Sequence, residues 1–427
     1  MRAPDILRVS ASHIIEMLRS SLYTNAAYLI LAQASMAGLG FFFWVIVARY
    51  YTEAELGYSA AIISTIGLVA LIGHIGLDSF LVRFLAGAEN PRRLLNTCFT
   101  YAAIATGTAA IIAAAGFPLW SPRLAFVSTQ PLFFAAFVGF AVVNTLSGVA
   151  GSGFIAGRKA KYLLWKDVLF SGTKLFLPLL FVQHFHAFGV VASWGLATAI
   201  GLFASLFVFM RRMLPGYVPM PSLGARLVRR AWGFSGMSYV ISLIAASPKF
   251  VMPLIVINLL GPEESAYFYV AWAIATLLFC IPTSLGQSLF AEGSHDRRKL
   301  HRDIRRATLL SGLLLAPAVL GVWLLGGTAL RAFGGSYSAR SVELLQILAL
   351  AALPMTLERI YFTVLRIRGR LRELTIWRAA LSAVLLGAST LLIPTGGLEV
   401  IGWVWLVTHA VAAAAILAFR SDLWLGR

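Results

Sequence analysis

Charge is scarce in this chain. Asp, Glu, Lys and Arg make up 12% of the 427 residues, while hydrophobic residues reach 59% and mean hydropathy is +0.83. A soluble domain carries roughly 25% charged residues, so this balance excludes a soluble enzyme and predicts a polytopic membrane protein. Acidic residues are scarcer still, 17 against 35 Lys and Arg, leaving a net charge of +18. The basic residues are scattered through short loops rather than gathered in one patch, so no nucleic acid is expected as a partner. Cysteine occurs twice, at Cys98 and Cys280, each in an apolar run without metal-ligand spacing. Both read as reduced core residues, and no metal or other cofactor is expected. A Walker loop, a dinucleotide glycine fingerprint, an HExxH pair and a nucleophile elbow are all missing. The segments between apolar runs are too short to build a catalytic head, so an enzyme is not expected. The first apolar run, about 25–48, is too long for the core of a cleavable signal peptide.

Long apolar runs are what the chain has. They fall at roughly 25–48, 57–80, 95–117, 131–155, 162–183 and 187–210, then at 233–260, 266–291, 307–331, 341–365, 373–394 and 397–419. Each approaches the ~20 residues that cross a bilayer. The expected fold is therefore an all-α membrane protein of twelve transmembrane helices, six in each half. Residues 1–22 interleave Arg2, Arg8 and Arg19 with Ile6, Leu7, Val9, Ile14, Ile15 and Leu18, the pattern of an interfacial amphipathic segment. The N-lobe is expected over 23–210, a basic cytoplasmic linker over 211–231 and the C-lobe over 232–427. With twelve spans, 28 of the 35 basic residues fall on one side, four (Arg49, Arg123, Arg331, Arg340) on the other and three within the spans. Such a bias predicts both termini in the cytoplasm.

The two halves echo each other at an offset of 209. Glu55, Gly57 and Tyr58 correspond to Glu264, Ala266 and Tyr267, and Asp78-Ser79-Phe80-Leu81 to Gln287-Ser288-Leu289-Phe290. The same offset sets Gly38 opposite Ser247 and Gly40 opposite Lys249. Pro248 and Pro253 flank Lys249, so a helix break is expected at Gly38/Gly40 and again at Pro248/Pro253. Paired interruptions in corresponding helices mark transport sites.

A charge inside a span is costly unless it faces protein or water. Lys174, Lys249 and Arg359 are the cations expected within spans, and Lys249 is the first candidate for a cavity wall. Lys174 reads either as a cavity cation or as one half of an ion pair. Glu358 and Arg359 point about 100° apart on one helix, so one can face a cavity while the other pairs. Glu358 and Asp78 are candidates for a coupling role or an ion pair, with Asp78 placed near Arg83. Arg49 is either an interfacial anchor or a cavity rim. Gln33, Asn144 and Gln287 could form a polar lumen or hold helices together. His74 and His409 read as hydrogen-bonded core; His184 and His186 share a short loop with no third ligand nearby.

Four stretches carry a family resemblance. Val47-Ala48-Arg49-Tyr50-Tyr51-Thr52-Glu53-Ala54-Glu55-Leu56-Gly57 resembles the first outer loop of polysaccharide flippases in the multidrug/oligosaccharidyl-lipid/polysaccharide exporter superfamily. Ile75-Gly76-Leu77-Asp78 with Arg83 is similar to that family's end of helix two. Leu260-Gly261-Pro262-Glu263-Glu264-Ser265-Ala266-Tyr267-Phe268 followed by Ala271 resembles the counterpart in the second half. Phe333-Gly334-Gly335-Ser336-Tyr337 before Leu344-Leu345-Gln346-Ile347-Leu348 is similar to the loop preceding helix ten. The resemblance implies two six-helix lobes around a central cavity, alternating access, and an undecaprenyl-pyrophosphate-type lipid-linked oligosaccharide moved from the cytoplasmic to the outer leaflet of a bacterial inner membrane. It further implies coupling to a cation, H+ or Na+, and contact with polysaccharide polymerase or assembly proteins. Other readings are a cation-coupled small-molecule exporter of the same superfamily and a non-enzymatic component of a polysaccharide-assembly complex.

Overall fold

In the computed structural model, residues 21–295 and 299–419 are described, and they are helical almost throughout. The amphipathic segment expected over 1–22 lies almost wholly outside the described residues. The helices are α1 (Ser21–Tyr50), α2 (Glu53–Gly73), α3 (Leu77–Phe84), α4 (Pro91–Trp120), α5 (Ala125–Thr129), α6 (Pro131–Ala156), α7 (Ala160–Ala204) and α8 (Met210–Met213). The second half holds α9 (Ala225–Leu259), α10 (Pro262–His295), α11 (Leu300–Arg331), α12 (Gly335–Ile367), α13 (Leu371–Gly396) and α14 (Glu399–Phe419). Eleven helices among the described residues are long and apolar enough to cross a membrane. The run expected at 162–183 is not among them: of this part of the chain only Phe185–Met213 is counted. The non-helical backbone at His186 (φ 45°, ψ −139°) divides the two stretches. Lys166, Asp167 and Lys174 fall in the first of them.

Local chemistry sets the helix starts. Thr52 and Glu55 form a reciprocal capping box on α2. Asn90 caps α4, whose first residue is Pro91. Gly261, at φ 105°, makes the turn into Pro262 at the start of α10. The repeat extends to these boundaries. The ends of α1 and α9, the starts of α2 and α10, and the starts of α4 and α11 are each 209 residues apart.

The expected break at Pro248 and Pro253 is absent: α9 runs unbroken from Ala225 to Leu259, and α1 is likewise continuous through Gly38 and Gly40. Side chains compensate for the first proline. The Ile244 carbonyl, which loses its donor at Pro248, accepts from Ser247 Oγ and from Ser382 Oγ of α13, both at 2.8 Å. The interruption lies instead between α2 and α3, at His74-Ile75-Gly76. Ile75 (φ 41°) and Gly76 (φ 79°) both have left-handed backbone there. A positive φ is uncommon for a β-branched residue.

One buried cluster is built only from the first half, around Phe80, Leu95 and Phe154, and another only from the second, around Ile304, Tyr361 and Leu365. The largest draws on both. Two sets of ties join the halves. At one end, Arg49 donates to the Ala332 and Arg331 carbonyls at 2.8 and 2.7 Å, capping the C-terminal end of α11, and Ser336 donates to Glu53 at 2.8 Å. At the other, Ser235 and Tyr239 of α9 donate to the carbonyls of Gly76 and Ile72, each at 2.8 Å. The helix interruption is thus held by the opposite half.

Gly57 is the glycine set nearest the opposite half. A Cβ built there would lie 1.8 Å from the Pro262 carbonyl oxygen. Gly57→Ala must push α2 and α10 apart at this junction. A thermal-unfolding comparison should show a loss of about 1–3 kcal/mol in the stability of this conformation.

Candidate functional site

Between the two sets of ties lies a cavity of about 850 Å³. Its walls come from α1, α2, α6 and α7 of the first half and from α9 and α10 of the second. Lys174 and Lys249 both line it, as do Gln33, Asn144 and Gly40. Lys174 is 6% exposed, and its ammonium sits over two aromatic faces, 4.6 Å from the Phe170 centroid and 5.3 Å from that of Phe43. Gly40 faces the same ammonium: a Cβ there would stand in ordinary contact, 3.7 Å from Lys174 Nζ. Lys249 is exposed toward the cavity, 5.3 Å from the Phe250 centroid. Neither lysine has an acidic partner within ion-pair distance among the described residues. Cation–π contacts steady an ammonium without neutralising it, so both charges remain available to an anion.

A third lysine differs. Lys166 is bound to Asp167 at 2.6 Å and donates to Ser147 at 3.3 Å, and all three residues line the cavity. Lys166 is not among the cations expected within spans. A readable signal was present: Asp167, Phe170 and Lys174 recur at i, i+3 and i+7, one face of a helix. His74, expected in the core, also lines the cavity. Its Nδ1 lies 3.0 Å from Asp78 Oδ2 without hydrogen-bond alignment, while Ser152 donates to the other Asp78 oxygen at 3.1 Å. Asp78 therefore pairs with His74 and Ser152, not with Arg83.

Other candidates lie elsewhere. Arg359 and Gln287 are not among the cavity-lining residues, and neither is Gly38. Glu358, 1% exposed, bonds to His409 Nδ1 within the second half. Arg49 caps α11 rather than lining the cavity. His186, at the break in α7, joins Glu55 of α2 at 2.8 Å. Among the described residues, no group of three or more His, Cys, Asp and Glu could hold a metal ion.

Cys280 reverses its sequence reading. It is exposed and lines the cavity, whereas Cys98 is buried. An apolar run that faces an internal cavity looks, in sequence, like one that faces other helices. A water-soluble maleimide should therefore label one thiol per chain, and Cys280→Ser should remove the label. Mass spectrometry of the intact protein reads the count directly.

Comparison with known proteins adds to this geometry. Residues 22–257, more than half of the chain, match the polysaccharide biosynthesis protein family. The chain belongs to that family. This polysaccharide biosynthesis protein is 24% identical over 413 residues to the succinoglycan biosynthesis transport protein ExoT of Rhizobium meliloti (strain 1021), covering 93% of this chain and 80% of that protein. Its fold is shared with the lipid II flippase MurJ in an inward closed conformation, at a TM-score of 0.75 and 12% identity, over 93% of this chain and 87% of MurJ. It is shared too with an inward-facing multidrug-resistance MATE transporter of the MOP superfamily, at a TM-score of 0.70 and 15% identity, over 93% and 98%.

Proposed function

We propose that this polysaccharide biosynthesis protein is a flippase that moves a lipid-linked oligosaccharide from the cytoplasmic to the outer leaflet of a bacterial inner membrane. One observation carries the proposal: two lysines without acidic partners, Lys174 and Lys249, project from opposite halves of the chain into one cavity. A lipid pyrophosphate is the kind of headgroup such a site would hold, each ammonium acting as a point charge on phosphate oxygens. Gln33 and Asn144 supply neutral polar groups to the same walls. The transport role named for the Rhizobium relative agrees with this reading. A cationic small-molecule cargo would meet uncompensated positive charge, which disfavours the exporter alternative.

In the proposed architecture, the two stretches of α7 on either side of His186 are separate spans, giving twelve and placing both termini in the cytoplasm. Residues 23–210 and 232–427 act as lobes. The ties at Arg49 and Glu53 and those at Ser235 and Tyr239 open alternately, so that the cavity faces one leaflet at a time. Cation coupling and contact with polysaccharide polymerase or assembly proteins complete the scheme. The reading is tested with purified protein in vesicles loaded with a radiolabelled lipid-linked glycan in one leaflet. Protein-dependent exposure of the glycan to an impermeant glycosidase supports it, and a rate equal to that of protein-free vesicles rejects it.

A further inference from the structure

The second half of the chain holds an ionisable cluster that the cavity does not use. His409 on α14 is 4% exposed and its Nδ1 bonds to Glu358 Oε2 on α12. Arg359 on α12 and Arg378 on α13 are close enough for their charges to act on Glu358, and Arg366 on α12 acts in turn on Arg378. The other imidazole nitrogen, His409 Nε2, is buried and has no hydrogen-bond partner among the described residues.

Two tryptophans lie between this imidazole and the cavity. The Trp405 ring lies 5.9 Å from the His409 ring, and Trp272 packs edge-on to Trp405 at 4.7 Å. Trp272 itself lines the cavity. The indole N–H groups of both tryptophans are also buried without a protein partner among the described residues, as are Arg359 Nε and Arg378 Nε. Buried polar atoms in native proteins are hydrogen-bonded to protein or to ordered water. The two indole N–H groups, on side chains that lie between the cavity and the carboxylate–imidazole pair, are polar partners for ordered water there.

We propose that His409 and Glu358 form a proton-binding site within the second half, reached from the cavity by a water track past Trp272 and Trp405. The proposal rests on the transport reading above and names its coupling ion. The Glu358 carboxylate accepts the Nδ1–H and so fixes the tautomer that leaves a lone pair on Nε2. A hydronium in the track gives its proton to Nε2, forming an N–H bond and an imidazolium beside Glu358. Release breaks that bond and returns the proton to water. A metal cation is disfavoured here: the site has one carboxylate, already engaged by His409, beside two guanidinium groups, whereas hard cations require several oxygen ligands. α10 carries Trp272 and packs against both α2 and α12, so a change of charge at His409 acts on a helix at the junction between halves.

The test combines a cargo-free and a cargo-dependent readout. Protonated imidazole quenches a neighbouring indole, so the tryptophan emission of purified protein should fall through one transition as pH is lowered. His409→Gln should abolish the transition, and Trp405→Phe should reduce its amplitude. In vesicles, an imposed pH gradient should drive accumulation of the lipid-linked glycan in one leaflet. His409→Gln should reduce that accumulation to passive equilibration, and a sodium gradient alone should not drive it. An unchanged fluorescence transition in His409→Gln, or accumulation driven by sodium and indifferent to pH, overturns the proposal. Should the wild type move no glycan, the transport reading fails, while the fluorescence titration still decides for or against the proton site.

Discussion

Lys174→Gln/Lys249→Gln should bind a lipid pyrophosphate far more weakly than the wild-type protein does. Both ammoniums face the same cavity from opposite halves, and neither has an acidic partner there among the described residues. A charge-assisted hydrogen bond contributes about 1.5–3 kcal/mol, so losing two should cost about 3–6 kcal/mol, or roughly 10²–10⁴-fold in affinity. Either single variant should lose about half of that free energy if the two lysines grip one headgroup. Glutamine keeps most of each side chain's length and removes its charge, so the fold should be retained. Titration of the solubilised protein with a short-chain prenyl pyrophosphate measures the series. An undiminished affinity in the double variant would remove the lysines from the site.

The second large effect concerns stability. Asp167→Asn removes the carboxylate that faces Lys166 at 2.6 Å, where the two residues are only 6% and 8% exposed. Breaking one side of a buried pair typically costs about 3–5 kcal/mol, because the remaining charge is left uncompensated. The variant should show a clearly lower unfolding temperature and a lower yield of monodisperse protein. Lys166→Met/Asp167→Leu removes both charges and should recover most of the lost stability. If Asp167→Asn and the double replacement unfold at the same temperature, the pair has no net role in holding α7. The double variant also separates functions within the cavity. It deletes Lys166 while leaving Lys174 and Lys249 in place, so lipid pyrophosphate affinity should persist.

Much of this arrangement was legible in the sequence, and the reasons differ from residue to residue. Lys174 and Lys249 stood out because charge is rare in apolar runs, and both line the cavity. The offset of 209 was visible in Glu55/Glu264 and Asp78/Gln287, and the helix boundaries follow it more closely than the residues do. Arg359 and Gln287 were drawn to the same cavity because sequence gives the depth of a residue in a span but not the face it occupies. Arg359 follows Glu358, whose partner His409 lies 51 positions away. Cys280 was read as core because a cavity wall of small and apolar residues has the composition of a helix interface. The prolines at 248 and 253 signalled a break that Ser247 and Ser382 help to avert, the second from a distant helix. The true interruption at Ile75 had only Gly76 to announce it. Its two key carbonyls are satisfied by Ser235 and Tyr239, contacts between elements far apart in sequence.

The measurement that tests the central claim most directly is leaflet transfer in vesicles with two cargoes that differ only at the headgroup. One is a lipid-linked glycan joined through pyrophosphate, and the other is the same lipid and glycan joined through a neutral linker. The wild-type protein should move the first and leave the second at the rate of protein-free vesicles, and Lys174→Gln/Lys249→Gln should lose transfer of the first. Equal transfer of both cargoes by the wild type, or undiminished transfer of the pyrophosphate cargo by the double variant, would contradict a cavity built to carry an anionic lipid headgroup.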